Sequence, residues 1–231
     1  IILTWEPELA EEIKKSLAKR EAGDKPYMIA VIGNPGSGKT TSCFSLSDLL
    51  DGCFVLPFDG YHLPMDDLKR MPNAEDLIYR RGAPDTFDAA RLAHDLGRIR
   101  DGDEFNIKIP GFDHSLGDPE PDAHQFDRSE HKVVLIEGLY LLHDDEKWDG
   151  LKKMFDLSIF VEANVDLCVE RLKTRNQCIP GYTENEIIAR VDAVDRVNAE
   201  TVESSKQYAS RVVQSAAERT MTTTISDGTP K

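Results

Sequence analysis

The sequence predicts an α/β protein with three layers, in which helices cover both faces of a mainly parallel central sheet. Two observations carry this prediction. Short, unbroken apolar runs, which are typical of strands covered on both faces, alternate along the chain with longer segments of helical periodicity. A glycine-rich segment joins the first core strand to the helix after it, as in sheets whose parallel strands are linked by crossover helices.

The first quarter of the chain contains four of these elements. Residues 7–20 carry apolar side chains at helical spacing, which predicts an amphipathic helix. Residues 27–32 and 53–58 are short apolar runs and predict buried strands. Between these strands, residues 37–50 are compatible with a helix. Its side chains available for burial are Phe44, Leu46, Leu49 and Leu50.

The remaining elements continue the alternation. Residues 88–100 have apolar side chains at three- and four-residue spacing, which predicts a helix. Residues 101–131 are rich in Asp, Pro, Gly and His and predict one long irregular excursion, a kind of loop that is more often functional than idle. Apolar runs predict strands at 133–136 and 157–161. Helices are predicted at 165–175 and 184–208, the second with Ile187, Val191 and Val194 along one face.

The composition limits the kinds of partner. The chain has 231 residues, of which 40% are hydrophobic, and this suits one large domain with a substantial core. Forty-two acidic residues against 28 basic ones give a net charge of −14, which argues against nucleic-acid and membrane partners. The four cysteines are scattered and no signal peptide is recognisable, so we expect a cytoplasmic protein.

A phosphate-binding motif follows the strand predicted at 27–32. The segment GNPGSGKT, from Gly33 to Thr40, matches the pattern G-x-x-x-x-G-K-[ST] at every position. In such a loop, backbone N–H groups and the helix dipole bind phosphate oxygens, and glycines allow close approach. Lys39 is expected to reach the outer phosphates and the Thr40 hydroxyl to ligate Mg²⁺. The predicted nucleotide-binding residues are Gly33, Asn34, Pro35, Gly36, Ser37, Gly38, Lys39, Thr40 and Thr41.

Three further segments suggest how a bound nucleotide is used. Asp59 and Glu137 each follow or end a predicted strand, at the edge where open α/β sheets bind ligands. A carboxylate there can accept a proton or hold a metal ion, although an Asp-Gly pair can also be a turn and Glu137 can be simply solvated. Arg171 and Arg175 share a helix face, where they either neutralise a transferring phosphate or form weak surface ion pairs.

The order of these motifs resembles that of one kinase family. The chain is similar to the uridine kinase, phosphoribulokinase and type I pantothenate kinase family, and within it to a poorly assigned branch of bacterial and fungal kinase-like proteins. The resemblance covers about residues 27–215. The segments that carry it, beside the phosphate-binding loop and the arginine-bearing helix, are DGYH at 59–62, YRRGAPDTFDAARL at 79–92, IPGFDHSLGDP at 109–119 and VVLIEGLYLL at 133–142.

The resemblance implies a P-loop NTPase fold with a helical lid. It also implies that Asp59 is the catalytic base close to Mg²⁺, and that Thr40 and Glu137 are associated with the metal. Arg171 and Arg175 would belong to a mobile lid over ATP. One domain would span residues 1–231, with an N-terminal helix at 1–22, an α/β core at 27–225 and the lid at about 168–185. The residues that would line the acceptor pocket, unless they are ordinary loop residues, are Tyr61, His62, Arg81, Asp85, Phe112, Asp113 and His114.

The sequence therefore predicts a Mg²⁺-dependent kinase that transfers phosphate from ATP to a hydroxyl of a small metabolite. Lys39 would hold the β- and γ-phosphates and Asp59 would deprotonate the acceptor. The acceptor would be a nucleoside or other ribosyl compound, a sugar or sugar acid, or pantothenate. We expect a monomer or homodimer without a macromolecular substrate. The alternative is a nucleotide-binding regulatory protein or a degenerate kinase without phosphotransfer.

Overall fold

The computed structural model describes residues 5–21, 25–177 and 182–215. The strands in this part of the chain are β1 (Tyr27–Gly33), β2 (Cys53–Pro57), β3 (Asn106–Asp113), β4 (Asp118–Asp127), β5 (Val133–Gly138), β6 (Leu157–Glu162) and β7 (Arg211–Gln214). Five of them form a parallel sheet in the order β2–β5–β1–β6–β7. The non-sequential order means that the chain crosses between strands, and it does so through helices.

The α-helices are α1 (Glu6–Leu17), α2 (Lys39–Ser47), α3 (Met65–Arg70), α4 (Ala74–Tyr79), α5 (Ala89–Asp101), α6 (Val165–Asn176), α7 (Glu184–Arg190) and α8 (Arg196–Ser204). Side chains of β1 alternate between the two faces of the sheet, as the pleat requires. Met28 belongs to the apolar cluster with α5, and Ile29 to the one with α1 and α2. This confirms the predicted three-layer α/β/α fold. Among the residues described, no helix is long and apolar enough to cross a membrane.

The prediction of an irregular segment at 101–131 is wrong. Most of this segment is an antiparallel hairpin of β3 and β4. Its sequence conceals the strands because β4 is largely exposed and polar, and because prolines occur in both strands and a glycine in β3. Ile107, Ile109 and Phe126 nevertheless lie fully buried against the main core, and they attach the hairpin to the domain.

Two predictions about helices also need correction. Phe44 and Leu49, expected to be buried, are exposed by 56% and 38%, since α2 ends at Ser47 and presents only one side to the sheet. The helix predicted at 184–208 is interrupted by a π-helical turn at Val191–Asp195 and ends in a 3₁₀ turn. The π turn separates α7 from α8 and changes which side chains face inward on either side of it.

Candidate active site

The phosphate-binding loop lies between β1 and α2, as the sequence predicts. Gly36 and Gly38 have φ values of 82° and 85°, a region that side chains other than glycine rarely adopt. A Cβ on Gly36 would also lie only 2.9 Å from the carbonyl oxygen of Cys168 in α6. The loop is therefore tightly packed against α6. The first turn of α2 begins at Lys39, so its free N–H groups lie at the end of the loop.

Neighbouring chain segments hold this loop in place. The Arg171 guanidinium of α6 donates a hydrogen bond to the Gly36 carbonyl oxygen at 3.1 Å. The Ser215 hydroxyl, just after β7, donates to the Ser37 carbonyl oxygen at 2.6 Å. Arg171 thus lies beside the phosphate-binding loop, whereas Arg175, one turn further along α6, lines the large cleft described below. The two arginines therefore contact different parts of the site.

The sheet places Glu137 between the phosphate-binding loop and Asp59. At the carboxyl end of the sheet, β5 lies between β1 and β2, and Glu137 pairs with Val31 on one side and Pro57 on the other. Asp59 follows β2 in a 3₁₀ turn at Phe58–Tyr61. Lys39, Asp59 and Glu137 consequently approach the same edge, as expected for ligand sites in open α/β sheets.

The residues at this edge fit a magnesium ion. The Thr40 hydroxyl donates a hydrogen bond to Glu137 Oε1 at 3.0 Å. The other carboxylate oxygen, Oε2, is buried and has no hydrogen-bond partner among the described residues. Mg²⁺ prefers oxygen ligands and usually keeps several waters beside one or two carboxylates and substrate phosphates. The described residues offer no cluster of three or more His, Cys, Asp or Glu that could form an all-protein cage. Thr40, Glu137 and Asp59 would therefore hold the ion together with phosphate.

The charges at the edge influence one another. Burial raises the pKa of Glu137, the negative charge of Asp59 raises it further, and the ammonium of Lys39 lowers it. Lys39 forms no ion pair with a described carboxylate, and the Asp59 carboxylate has neither a hydrogen bond nor an ion pair in the described part of the chain. Both groups are thus free to meet a ligand.

Substitution of Glu137 by glutamine should stabilise the protein without ligands while impairing ATP-dependent activity. The folded-state pKa lies above the ordinary value of 4.5, so ionisation of this carboxyl costs stability as the pH rises from 4.5 through the folded-state pKa. The variant lacks that cost, and its free energy of unfolding should exceed that of the wild type by about 1 kcal/mol at neutral pH. Thermal melts between pH 4 and pH 8 measure this gain.

Glu104→Gln is the matched control for this pH dependence. Glu104 is exposed, and its hydrogen bonds with Arg98 hold its pKa below the ordinary value. Its contribution to stability is therefore present above that ordinary value and lost as the pH falls, so the Tm difference of this variant should have the opposite sign. A Tm difference for Glu137→Gln that is constant from pH 4 to pH 8 would contradict the buried, uncompensated charge.

A cleft of about 910 Å³ opens beside Asp59. The tip of the β3–β4 hairpin forms one wall and the end of α6 forms the other. Asp59 and Arg175 thus line the same cavity. The lining residues are Asp59, Met65, Arg81, Phe112, His114, Ser115, Leu116, Gly117, Arg175 and Asn176.

A smaller compartment of about 300 Å³ adjoins the cleft and shares Met65, Arg81, Phe112 and Asn176 with it. The His62 ring lies between Phe87 and Phe112, with centroid distances of 4.0 Å and 5.0 Å. Its Nδ1 is 2.9 Å from the Asp59 carbonyl oxygen and must therefore donate to it. The residues that line only this compartment are His62, Ile78, Tyr182, Ile187, Arg190 and Val191.

Three residues predicted to bind the acceptor lie elsewhere. Tyr61 is 1% exposed, and its hydroxyl donates to Asp95 in the core. Asp85 forms a two-point ion pair with Arg80, which holds its pKa low. The Asp113 carboxylate accepts hydrogen bonds from Ser115 and the Leu116 N–H, which is a turn. None of the three lines either cavity, and for each an ordinary structural role accounts for its position.

Four predicted acceptor residues do line the cavities: His62, Arg81, Phe112 and His114. Arg81 also has a structural role that the sequence did not reveal. Its guanidinium donates to the carbonyl oxygens of Gly117 and Leu63 and pairs with Asp118, so it attaches the hairpin tip to the domain. The sequence analysis missed Met65, Asn176 and the α7 residues. The apolar face predicted for the helix at 184–208 was the available signal for α7.

Comparison with known proteins decides the family. Residues 28–222 match the model of the Phosphoribulokinase / Uridine kinase family. The chain belongs to this family. The resemblance drawn from the order of the motifs is thereby confirmed. Membership in the phosphoribulokinase/uridine kinase family supports an ATP-dependent P-loop kinase that acts on a small metabolite.

Individual relatives match most of the chain. A candidate uridine kinase of Schizosaccharomyces pombe is 29% identical over 204 residues, covering 85% of this chain and 86% of that protein. The uncharacterized protein YggC of Escherichia coli is 32% identical over 190 residues, or 80% of this chain and 76% of YggC. The crystal structure of a candidate fructose transport system kinase from Silicibacter sp. TM1040 aligns with a TM-score of 0.79 and 28% identity, covering 91% and 99% of the two chains.

Proposed function

We propose that the chain transfers the γ-phosphoryl group of ATP to a hydroxyl group of a small metabolite, with Asp59 as the catalytic base. The supporting observation is the position of Asp59. Its carboxylate has no partner among the described residues, it influences the charge of Glu137 beside the phosphate-binding loop, and it lines the same cleft as Arg175. A base in this position lies between a bound triphosphate and an acceptor in the cleft.

The chemistry follows from these positions. The acceptor hydroxyl binds next to Asp59, which takes its proton while the hydroxyl oxygen bonds to the γ-phosphorus. The bond between that phosphorus and the bridging oxygen of ADP breaks at the same time, and ADP leaves. Lys39 and the loop N–H groups bind the β- and γ-phosphates, and Arg175 neutralises charge on the transferred group. Thr40, Glu137 and Asp59 would hold Mg²⁺, which would supply further charge neutralisation on the phosphate oxygens.

The names of the relatives favour some acceptor classes over others. The names of two relatives, a candidate uridine kinase and a candidate fructose transport system kinase, support a nucleoside or a sugar as the acceptor. A sugar acid and pantothenate remain in the proposal as less favoured classes. We also propose that the catalytic unit is a single kinase domain acting as a monomer or homodimer.

A metabolite screen tests the proposed function. Purified protein with ATP and Mg²⁺ should form ADP in an acceptor-dependent way with at least one hydroxyl compound, and mass spectrometry should find the phosphorylated product. Lys39→Met should lower this turnover at least about 100-fold, because phosphate contacts that strengthen in the transition state are removed. Lys69→Met, on an exposed residue of α3, is the matched control. Tight ATP binding without turnover on any acceptor would instead support the nucleotide-binding regulatory protein.

A further inference from the structure

The compartment beside the cleft contains two arginines and a histidine, which at first suggests a site for an acidic ligand. His62, Arg81 and Arg190 all line it, and no carboxylate of the described residues does. Whether it attracts an anion depends on the net charge around each of these groups. A guanidinium that is already paired with a buried or half-buried carboxylate offers little attraction to a second one.

Arg81 is neutralised by Asp118. Its Nη2 lies 2.7 Å from Asp118 Oδ1, and the same carboxylate oxygen accepts a hydrogen bond from the Met65 N–H. The guanidinium also donates to the carbonyl oxygens of Gly117 and Leu63 and lies over the Phe112 ring, while its buried Nε has no hydrogen-bond partner among the described residues. The Arg81 side chain is only 11% exposed, so the solvent contributes little to this balance. Arg81 therefore presents a paired charge to the compartment.

Arg190 is paired with Asp195, a carboxylate that also interacts with the charge of Arg175. Their nearest atoms, Nη1 and Oδ2, are 3.5 Å apart, and both side chains are largely buried, with exposures of 20% and 16%. Arg190 ends α7 and Asp195 ends the π turn, so the extra residue of that turn sets the spacing of the pair. The other Arg190 nitrogens donate to the carbonyl oxygens of Tyr79 and Arg81. Arg190 is therefore also a paired charge.

Apart from His62, the rest of the compartment wall consists of side chains without an ionisable charge. The His62 ring donates through Nδ1 to the Asp59 carbonyl oxygen and lies between Phe87 and Phe112, so Nε2 is the ring nitrogen left to contact a ligand. Ile78, Ile187 and Val191 provide apolar surface, and Phe112 provides an aromatic face.

We propose that this compartment selects an acceptor whose non-reacting part is uncharged and carries an apolar ring face, a nucleoside or an unmodified sugar rather than a sugar acid or pantothenate. The inference rests on the proposed function, since it assigns the acceptor to the compartment next to Asp59. A carboxylate bound there would lose its hydration without gaining an unpaired cation, which is unfavourable. An uncharged ring would instead pack against Phe112 and the α7 side chains, with one polar group on His62 Nε2.

Matched pairs of compounds that differ by one carboxylate test the proposal. The pairs are uridine and orotidine, glucose and glucuronate, and panthenol and pantothenate. Ligand-observed NMR titrations of the full chain, with Mg²⁺ and a non-hydrolysable ATP analogue, measure the dissociation constants. At least one uncharged member should bind at least about tenfold more tightly than its acidic partner. Preference for the acids, or no preference in any pair, would overturn the proposal.

A variant that removes the carboxylate paired with Arg190 tests whether charge pairing causes the preference for uncharged acceptors. Asp195→Asn leaves Arg190 without its counter-charge, so the preference for uncharged members should fall at least about tenfold or reverse. Asp192→Asn is the matched control, because Asp192 lies in the same π turn but pairs with Lys173 and is 45% exposed. Its preference should equal that of the wild type. An unchanged preference in Asp195→Asn would overturn the proposal.

Two further variants test the same proposal if Asp195→Asn does not fold. Asn176→Lys adds an unpaired cation at the rim shared by the two cavities and should shift the preference in the same direction. Arg190→Gln combined with Asp195→Asn removes both charges and should keep the wild-type preference. The binding measurement and the turnover measurement test different proposals. Absence of turnover with every acceptor would contradict the proposed kinase activity. Equal binding of the two members in every pair would contradict only the selection against charged acceptors.

Discussion

Replacement of Asp59 by asparagine is expected to lower kcat by about 10²–10⁴-fold while ATP binding stays nearly unchanged. The reason is that a positioned general base contributes a factor of this size, and asparagine cannot accept the proton of the acceptor hydroxyl. The Asp59 carboxylate makes no hydrogen bond or ion pair with another described residue, and the substitution leaves the bonds of the Asp59 carbonyl oxygen to His62 in place. Acceptor-dependent ADP formation measures the loss, and a fluorescent ATP analogue measures nucleotide affinity.

Asp66→Asn is the matched control for this prediction. Asp66 lies on α3, is largely exposed and pairs only with Lys69 one turn away. Its removal should change kcat less than twofold, because exposed ion pairs contribute little. Wild-type turnover in Asp59→Asn would remove this carboxylate from the mechanism. A large loss of ATP affinity would instead assign Asp59 mainly to metal and nucleotide binding.

Substitution of Gly60 by alanine is expected to destabilise the protein by about 3 kcal/mol and to displace Asp59. A Cβ on Gly60 would lie 2.4 Å from the carbonyl oxygen of Pro110 and 2.7 Å from its carbonyl carbon. These are backbone atoms of β3, so they cannot rotate away as the end of a side chain could. Relief of the overlap requires the hairpin and the turn at Phe58–Tyr61 to separate. Denaturant unfolding measures the change in stability.

Gly97→Ala is the matched control and should change stability in the opposite direction. Gly97 lies within α5, and a Cβ there would meet no atom within 4 Å. Alanine should therefore stabilise the protein by about 1 kcal/mol through its higher helix propensity. Since Gly60→Ala displaces the turn that carries Asp59, the kcat of the Gly60→Ala variant should fall together with its stability. Equal stability of Gly60→Ala and the wild type would show that the hairpin does not pack tightly against the turn.

The sequence was most informative where one residue type is physically required. The phosphate-binding loop needs glycine at positions 36 and 38, and both have positive φ values in the structure. Glu137 could be placed because a buried strand ends at a fixed edge of a parallel sheet, and its partners in the sheet follow from the strand order. In these cases local pattern and tertiary position agree, so the sheet and the loop could be predicted together.

The sequence was less informative where the position of a side chain depends on distant partners. Tyr61 and Asp85 lie in segments that carry the family resemblance, and in the structure they contact Asp95 and Arg80. No local pattern shows which of two neighbouring arginines will face a cavity, and Arg81 does so while Arg80 forms the ion pair. The hairpin at 101–131 was missed because its strands are half exposed and contain prolines, so that the period-2 signal is weak.

Helix α6 connects the phosphate-binding loop with the cleft beside Asp59. Arg171 contacts the loop that would hold the nucleotide, and Arg175 and Asn176 line the cavity on the acceptor side, all within about one and a half helical turns. A helix this short moves as a rigid rod. A rotation of α6 that tightened one end against the nucleotide would therefore reposition the other end over the acceptor, and each substrate would then alter the affinity for the other by the same factor.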